Sequence, residues 1–250
     1  MRPRIAIPIP HSGNAEYAGR ALPQYEQAVS QAGGDPVRIP LDQTQSEAKR
    51  LIESCDGVLL PGSEADVDPA KYNAARHPKT ATPDVKRYVV DELLLEDAYK
   101  MRKPVFGICY GLQILNVHCA GSLVQHIESQ INHEAGRKVP IAHDVSVEEK
   151  SLLGEIVAAA GGNLARLPVN SSHHQSADVA GDGLRIVSRS TEDGIVEAVE
   201  GTSPDHFVLA VQWHPERSVD LDESSRALFQ AFVKAAEVRR EELATKTVSL

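Results

Sequence analysis

Cysteine is scarce in this 250-residue chain: there are three, Cys55, Cys109 and Cys119, with no C-x-x-C spacing. That count excludes a disulfide scaffold, so each thiol needs a packing or a chemical reason. Long apolar runs are missing too. The opening MRPRIAIPIPHSGN breaks its short apolar run with prolines, and no stretch approaches the roughly 20 apolar residues that span a bilayer. The expectation is a soluble, cytoplasmic protein with no membrane partner. Positive charge is in deficit, 26 Lys+Arg against 35 Asp+Glu for a net −9, which argues against nucleic acid as a partner because that affinity rests on clustered cations. Internal repeats and low-complexity linkers are absent, and the length suits one sizeable core rather than two. A single domain over residues 1–250 is expected.

What is present in the first half is an alternation of strand-like and helix-like runs. RIAIPI is followed by a helical stretch from about Tyr17 to Ala32, closed by Gly33-Gly34, and then PVRIP. QSEAKRLIES supplies a short helix before GVLLPG. The next helix is expected to open at TPDV, with Thr82 as cap, Pro83 in the first turn, and Val85, Tyr88, Val89 and Leu93 as a buried stripe. It leads to PVFGIC. Such alternation implies an α/β fold with a mostly parallel central sheet and helices on both faces, binding ligands beyond the carboxyl ends of its strands.

The second half changes character. GSLVQHI, HDVSVEE, LARLPVN, LRIVSRS, IVEAVEG and FVLAVQW read as strands, with one short helix near Leu152 to Ala160. Added antiparallel strands therefore join or flank the sheet. A last amphipathic helix runs from about Asp222 to Leu243, and the closing TKTVSL is expected to fray. Two connections, near residues 62–82 and 128–142, exceed ordinary loop length and are candidate walls of a binding site.

Cys109 lies between Gly107 and Gly111 where an apolar run gives way to a helical one. This G-x-C-x-G arrangement is the sulfur counterpart of the G-x-S-x-G elbow, in which flanking glycines let a strained turn expose a nucleophile. A thiol there faces the positive end of the next helix, which favours thiolate. In VQWHPE, His214 is followed two residues later by Glu216. Extended chain puts residues i and i+2 on one side, and Pro215 opposes helical coiling, so Glu216 can orient the imidazole while its other nitrogen takes a thiol proton.

The segments GICYGLQ, LLPGSEADVDPAKY, VNSSHHQ and AVQWHPE together resemble the class I glutamine amidotransferase superfamily, and within it the γ-glutamyl-γ-aminobutyrate hydrolase family, also called peptidase C26. The likeness runs in order from YEQAVSQAGGDPV to WHPE. It implies the flavodoxin-like fold of that superfamily, with Cys109 as nucleophile, His214 as general base and Glu216 as the carboxylate that orients it. The resemblance also implies an oxyanion hole built from the amide of Tyr110 and one amide of the Gly62-Ser63 pair. Gln113 would contact the amino-acid end of the substrate, and Ser172, His173 and His174 would line a γ-glutamyl pocket. The implied reaction hydrolyses a small γ-glutamyl amine through a thioester, with a place in polyamine catabolism, no cofactor, no metal, and a homodimer as the common assembly. Two alternatives stand beside it: a glutaminase subunit feeding ammonia to a separate synthetase partner, and a catalytically silent binding module.

Other residues have simpler expectations. Cys55 and Cys119 read as ordinary buried thiols. His173 and His174 are adjacent on extended chain and so face opposite ways, which argues against a metal pair. Asp66 and Tyr72 either shape the leaving-group pocket or anchor the long loop. The acidic run DELLLED reads as the solvated face of a helix.

Overall fold

The structure is a computed structural model that describes residues 1–248, with side chains to residue 245. Its elements, in chain order, are β1 (Arg4–Pro8), α1 (Ala15–Gln31), β2 (Asp35–Ile39), α2 (Gln45–Glu53), β3 (Gly57–Leu60), α3 (Val85–Met101), β4 (Val105–Ile108) and α4 (Tyr110–His118). The second half adds β5 (Leu123–Val124), β6 (His143–Val147), α5 (Leu152–Ala159), β7 (Leu167–Val169), β8 (Ser176–Ala177), β9 (Leu184–Ser190), β10 (Val196–Gly201), β11 (Val208–Val211) and α6 (Glu223–Val248). Helix α6 continues to Val248, past its expected end near Leu243, so the fraying expected of TKTVSL does not appear through residue 248; residues 249 and 250 lie outside the described residues. Among the described residues no helix is long and apolar enough to cross a membrane.

A nine-stranded sheet runs in the order β2-β1-β3-β4-β11-β10-β9-β6-β7. Its β2 to β11 half is parallel, and β11, β10, β9, β6 and β7 pair antiparallel in turn. β5 and β8 form a separate antiparallel pair. The fully buried β3, β4 and β11 (GVLL, VFGI and VLAV) need cover on both faces. On one face α1, α5 and α6 pack Tyr25, Val29, Leu153, Phe229 and Phe232 against Ile5, Phe106 and Leu209. On the other, α2, α3 and α4 pack Ile52, Leu94 and Leu115 against Ala6, Val105 and Ala210. The α/β architecture with a mostly parallel core and added antiparallel strands is the one expected.

Helix α3 departs from expectation. It is capped by Asp84, whose side chain accepts from Arg87 N–H, and not by Thr82. Val85 is 71 % exposed and Val89 36 %, while Arg87 and Asp91 are wholly buried. DELLLED is therefore not a uniformly solvated face: Asp91 turns inward. Arg87 Nε donates to Asp91 at 2.8 Å, and its terminal nitrogens donate to the Pro10 and Pro61 carbonyls at 2.9 and 2.8 Å. One guanidinium thus ties the ends of β1 and β3 together beneath the long loop.

Candidate active site

Strand β4 delivers Cys109 to the carboxyl edge of the sheet, and the chain must reverse at once into α4. Cys109 takes φ 56°, ψ −108°, a left-handed conformation for a residue with a Cβ. Strain of this kind costs on the order of 1–3 kcal/mol and persists where the surroundings enforce it. The flanking glycines supply space. A Cβ on Gly111 would lie 2.1 Å from the Leu60 carbonyl oxygen, and one on Gly107 would lie 2.8 Å from the Gly111 backbone. Helix α4 can pack this tightly on β3 and β4 only because both positions lack side chains.

At the end of β11, His214 enters the same edge. Its Nδ1 lies 2.8 Å from Glu216 Oε1, with both side chains buried. The backbone between them is not extended as expected: Pro215–Arg217 form one turn of 3-10 helix. Proline suits a first helical turn as well as it opposes a helix interior, and the turn still brings Glu216 back onto the ring. Asn170, within VNSSHHQ, clamps the His214 backbone from both sides, accepting from its N–H at 3.0 Å and donating to its carbonyl at 2.9 Å. Sequence reasoning passed over this asparagine, although its motif was in view.

Cys109 and His214 converge on Gly62, just beyond β3. A Cβ there would lie 3.1 Å from His214 Cε1, 3.1 Å from Tyr25 Oη and 3.6 Å from Cys109 Cβ. Gly62 N–H donates to Tyr25 Oη at 3.1 Å, so that amide is already engaged. Tyr25, buried in α1, is a second residue that sequence reasoning missed; nothing local marks it.

A cleft of about 350 Å³ opens over this group, lined by Cys109, Tyr110, Ser63, Gln113, His214 and Glu216 and, on its far side, by Ser172, His173 and His174. That volume is in the range of small-molecule sites. Gly62 sits behind the lining. The loops near 62–82 and 128–142 both contribute, through Glu64 and Asp66 and through Glu134 and Arg137. Asp66 anchors its loop, accepting from Ala81 N–H at 2.6 Å, and also lines the cleft, facing His174 Nε2 at 3.1 Å. Tyr72 lies outside the cleft lining.

The polar residues are held by distinct partners. Gln113 Nε2 donates to the Gln175 carbonyl at 3.3 Å. Ser172 Oγ accepts from Arg217 at 2.8 Å. His173 and His174 face opposite ways as expected, toward Glu197 and toward Asp66.

Burial dominates the electrostatics. It pushes the Cys109 thiol up to about 12, with Arg217 opposing and Glu216 assisting. The thiolate favoured by the helix terminus is thus overruled: such a terminus contributes at most about 2 kcal/mol, less than full desolvation of a thiolate in a closed site. Burial also lowers His214 below its ordinary 6.5, although Glu216 pulls the other way. Both shifts favour a neutral thiol on Cys109 and a neutral imidazole on His214. Glu216, 2.8 Å from Nδ1, is placed to stabilise an imidazolium on His214.

The peptidase C26 family profile matches residues 9–216. The chain belongs to that family. The gamma-glutamyl-gamma-aminobutyrate hydrolase PuuD of Escherichia coli K12 is 34% identical over 224 residues, covering 86% of this chain and 85% of that protein. Rv2859c of Mycobacterium tuberculosis, which carries a provisional glutamine amidotransferase name, is 36% identical over 223 residues, covering 88% of this chain and 68% of its own. Among solved structures, the glutaminase domain of Trypanosoma brucei CTPS matches with TM-score 0.62 and 18% identity, over 94% of this chain and 93% of that one. The fold is that of glutamine amidotransferase domains, and the protein is a glutamine amidotransferase-like hydrolase.

Proposed function

We propose that this peptidase C26 member hydrolyses the γ-glutamyl amide bond of small γ-glutamyl amines, with Cys109 as nucleophile, His214 as general base and Glu216 as its orienting carboxylate. The observation that carries the reading is the convergence of a strained cysteine and a carboxylate-held imidazole on one glycine, Gly62, at the floor of one cleft. Sulfur attacks the γ-carbonyl as its proton passes to His214 Nε2. The tetrahedral oxyanion is received by backbone amides, and His214 then protonates the departing amine. Water, deprotonated by His214, cleaves the resulting thioester to release glutamate.

The Tyr110 amide borders the sulfur, and of the Gly62-Ser63 pair the Ser63 amide is the better second donor, because Gly62 N–H is engaged by Tyr25. Arg137 faces the cleft and makes no hydrogen bond or ion pair among the described residues, which suits a leaving amine that carries its own carboxylate, such as γ-aminobutyrate. The purified chain, incubated with a panel of γ-glutamyl amines and with glutamine, should release glutamate from the amines without any partner, and Cys109→Ala should abolish this while leaving the fold intact. A chain that acts only on glutamine, and only when a synthetase is added, would instead support the ammonia-supplying reading. Equal rates for Cys109→Ala and wild type would overturn both.

A further inference from the structure

Behind the His173 wall of the cleft lies a polar cluster that the proposed chemistry does not use. Glu197, on β10, is wholly buried. Three imidazoles from separate parts of the chain meet its Oε1: His143 Nε2 at 3.1 Å, His133 Nδ1 at 3.4 Å and His173 Nε2 at 3.4 Å. The three rings are themselves almost wholly inaccessible, with side-chain exposures of 1, 2 and 1 % for His143, His133 and His173.

The outward nitrogens decide the tautomers. His133 Nε2 donates to Asp193 Oδ2 at 2.9 Å, and His173 Nδ1 donates to the Gln175 carbonyl at 2.9 Å. When neutral, His133 and His173 therefore carry their protons on the outside and aim lone pairs at the Glu197 carboxylate, while His143 Nε2 is hydrogen-bonded to Oε1 at 3.1 Å. At His133 and His173 acceptor then faces acceptor. His133 Nδ1, His173 Nε2 and Glu197 Oε2, and on the outer side of its ring His143 Nδ1, are buried without a hydrogen-bond partner. Unpaired groups of this kind are costly in a low dielectric, and only a positive charge at the centre removes the repulsion.

An imidazole whose inner nitrogen faces a cluster while its outer N–H is held by a carboxylate or carbonyl is also how metal-ligating histidines are oriented. The spacing agrees. Ligands about 2.0–2.1 Å from a tetrahedral zinc lie about 3.3 Å apart, and His133 Nδ1 and His143 Nε2 stand 3.4 and 3.1 Å from Glu197 Oε1. The ligating atoms of His133, His143 and Glu197 all lie within 4.8 Å of one another. We infer that His133, His143 and Glu197 form a buried site for a structural divalent metal ion of the zinc class, with His173 packed beside it.

The donor set, imidazole nitrogen with one carboxylate, suits zinc among the abundant divalent ions. His133, His143 and Glu197 are all buried and none of them lines the cleft, so the role is to hold structure. What it holds is the cleft wall: the His133 carbonyl accepts from Ser171 Oγ at 2.7 Å and from His173 N–H at 2.9 Å. The ion would fasten the 128–142 connection and the substrate-side segment to β10. No sequence spacing signals this, because the ligands fall at 133, 143 and 197. The inference stands whether or not the γ-glutamyl reading does.

The test uses the full chain without a histidine tag, in a Cys109→Ala background that removes the thiol-imidazole pair as a competing zinc site. After stripping with chelator and reloading with zinc, metal analysis should give one equivalent per chain, absent in the added His143→Gln variant. Zinc at about a hundredfold above its Kd should raise the melting temperature by about 5–10 °C. Cobalt loading should give d–d absorption that is lost in His143→Gln. Chains that retain neither metal and melt unchanged would show that protons on the histidines supply the positive charge, and would overturn the site. Equal stoichiometry in His143→Gln would overturn it as well. Should His143→Gln not fold, the metal content and cobalt spectrum of the parent chain decide.

Discussion

Replacing Glu216 with Gln tests the proposed base most sharply, because shape is kept and charge is removed. Glu216 Oε1 lies 2.8 Å from His214 Nδ1 with both groups buried. Unit charges centred about 4 Å apart at an effective dielectric of 20 attract by about 4 kcal/mol. That energy stabilises the imidazolium formed as the thiol proton moves, so its loss predicts a fall in kcat of about a thousandfold. Arg217, 3.4 Å from the same oxygen, already neutralises part of the charge and pulls the figure toward about a hundredfold. The pH profile carries an independent sign. Burial sets the His214 pKa below 6.5 and Glu216 works to raise it. The working base is the neutral ring, so activity rises with pH through the folded-state pKa of His214, with a midpoint below 6.5 in the wild type and lower still in Glu216→Gln. Glutamate release across pH 4 to 9, with far-UV circular dichroism as the folding control, measures both. A variant within threefold of wild type, or one whose acid limb stays in place, would refute the role of Glu216.

Three further perturbations follow from distances already described. Gly62→Ala puts a methyl 3.1 Å from both His214 Cε1 and Tyr25 Oη; kcat should drop at least about tenfold, with intact secondary structure by circular dichroism, and unchanged kinetics would mean that the ring moves freely there. Arg87→Ala strands Asp91, which burial already pushes up to about 6; the loss of about 3–5 kcal/mol should lower the melting temperature by about 6–20 °C, and a negligible shift in calorimetry would show that the pair is dispensable. Arg137→Ala should raise KM for γ-glutamyl amines bearing a distal carboxylate and spare those with a plain alkyl amine; equal effects on both would remove Arg137 from leaving-group recognition.

The strand and helix alternation was legible because it rests on local periodicity: α1, α2 and α5 fall within two residues of their expected bounds. The two over-long connections were legible as cleft walls for a related reason, since compact folds rarely carry such loops without use. Helix α3 was misread where an interior turned out to be charged. Arg87 and Asp91 resemble a solvated i, i+4 pair in sequence, and only the Pro10 and Pro61 carbonyls, 77 and 26 residues away from Arg87, explain their burial. The backbone around His214 and Glu216 was misjudged although the contact itself is present, because a proline permits both an extended strand and a first helical turn. The partners of Glu197 were beyond reach altogether. They meet through the antiparallel half of the sheet and the loop before it, where no spacing rule applies.

The protonation of Cys109 links the strained turn to the chemistry. A cysteine kept as thiolate by a helix terminus alone would be exposed to any passing electrophile or oxidant. Here desolvation outweighs the terminus, and the thiol, 6 % exposed, stays protonated at rest. Under the proposed chemistry, nucleophilicity then appears only when a carbonyl is in place, its oxygen held by amides and its carbon above the sulfur, so that proton loss to His214 and bond formation proceed together. The positive φ at Cys109 serves this coupling by fixing the direction of the sulfur without mobile side-chain support. On these grounds a small uncharged alkylating agent should modify Cys109 slowly at neutral pH, whereas a γ-glutamyl-shaped electrophile that fills the cleft should modify it fast. Comparable rates for the two would mean that the sulfur is activated at rest, and that the neutral pair is the wrong description of this site.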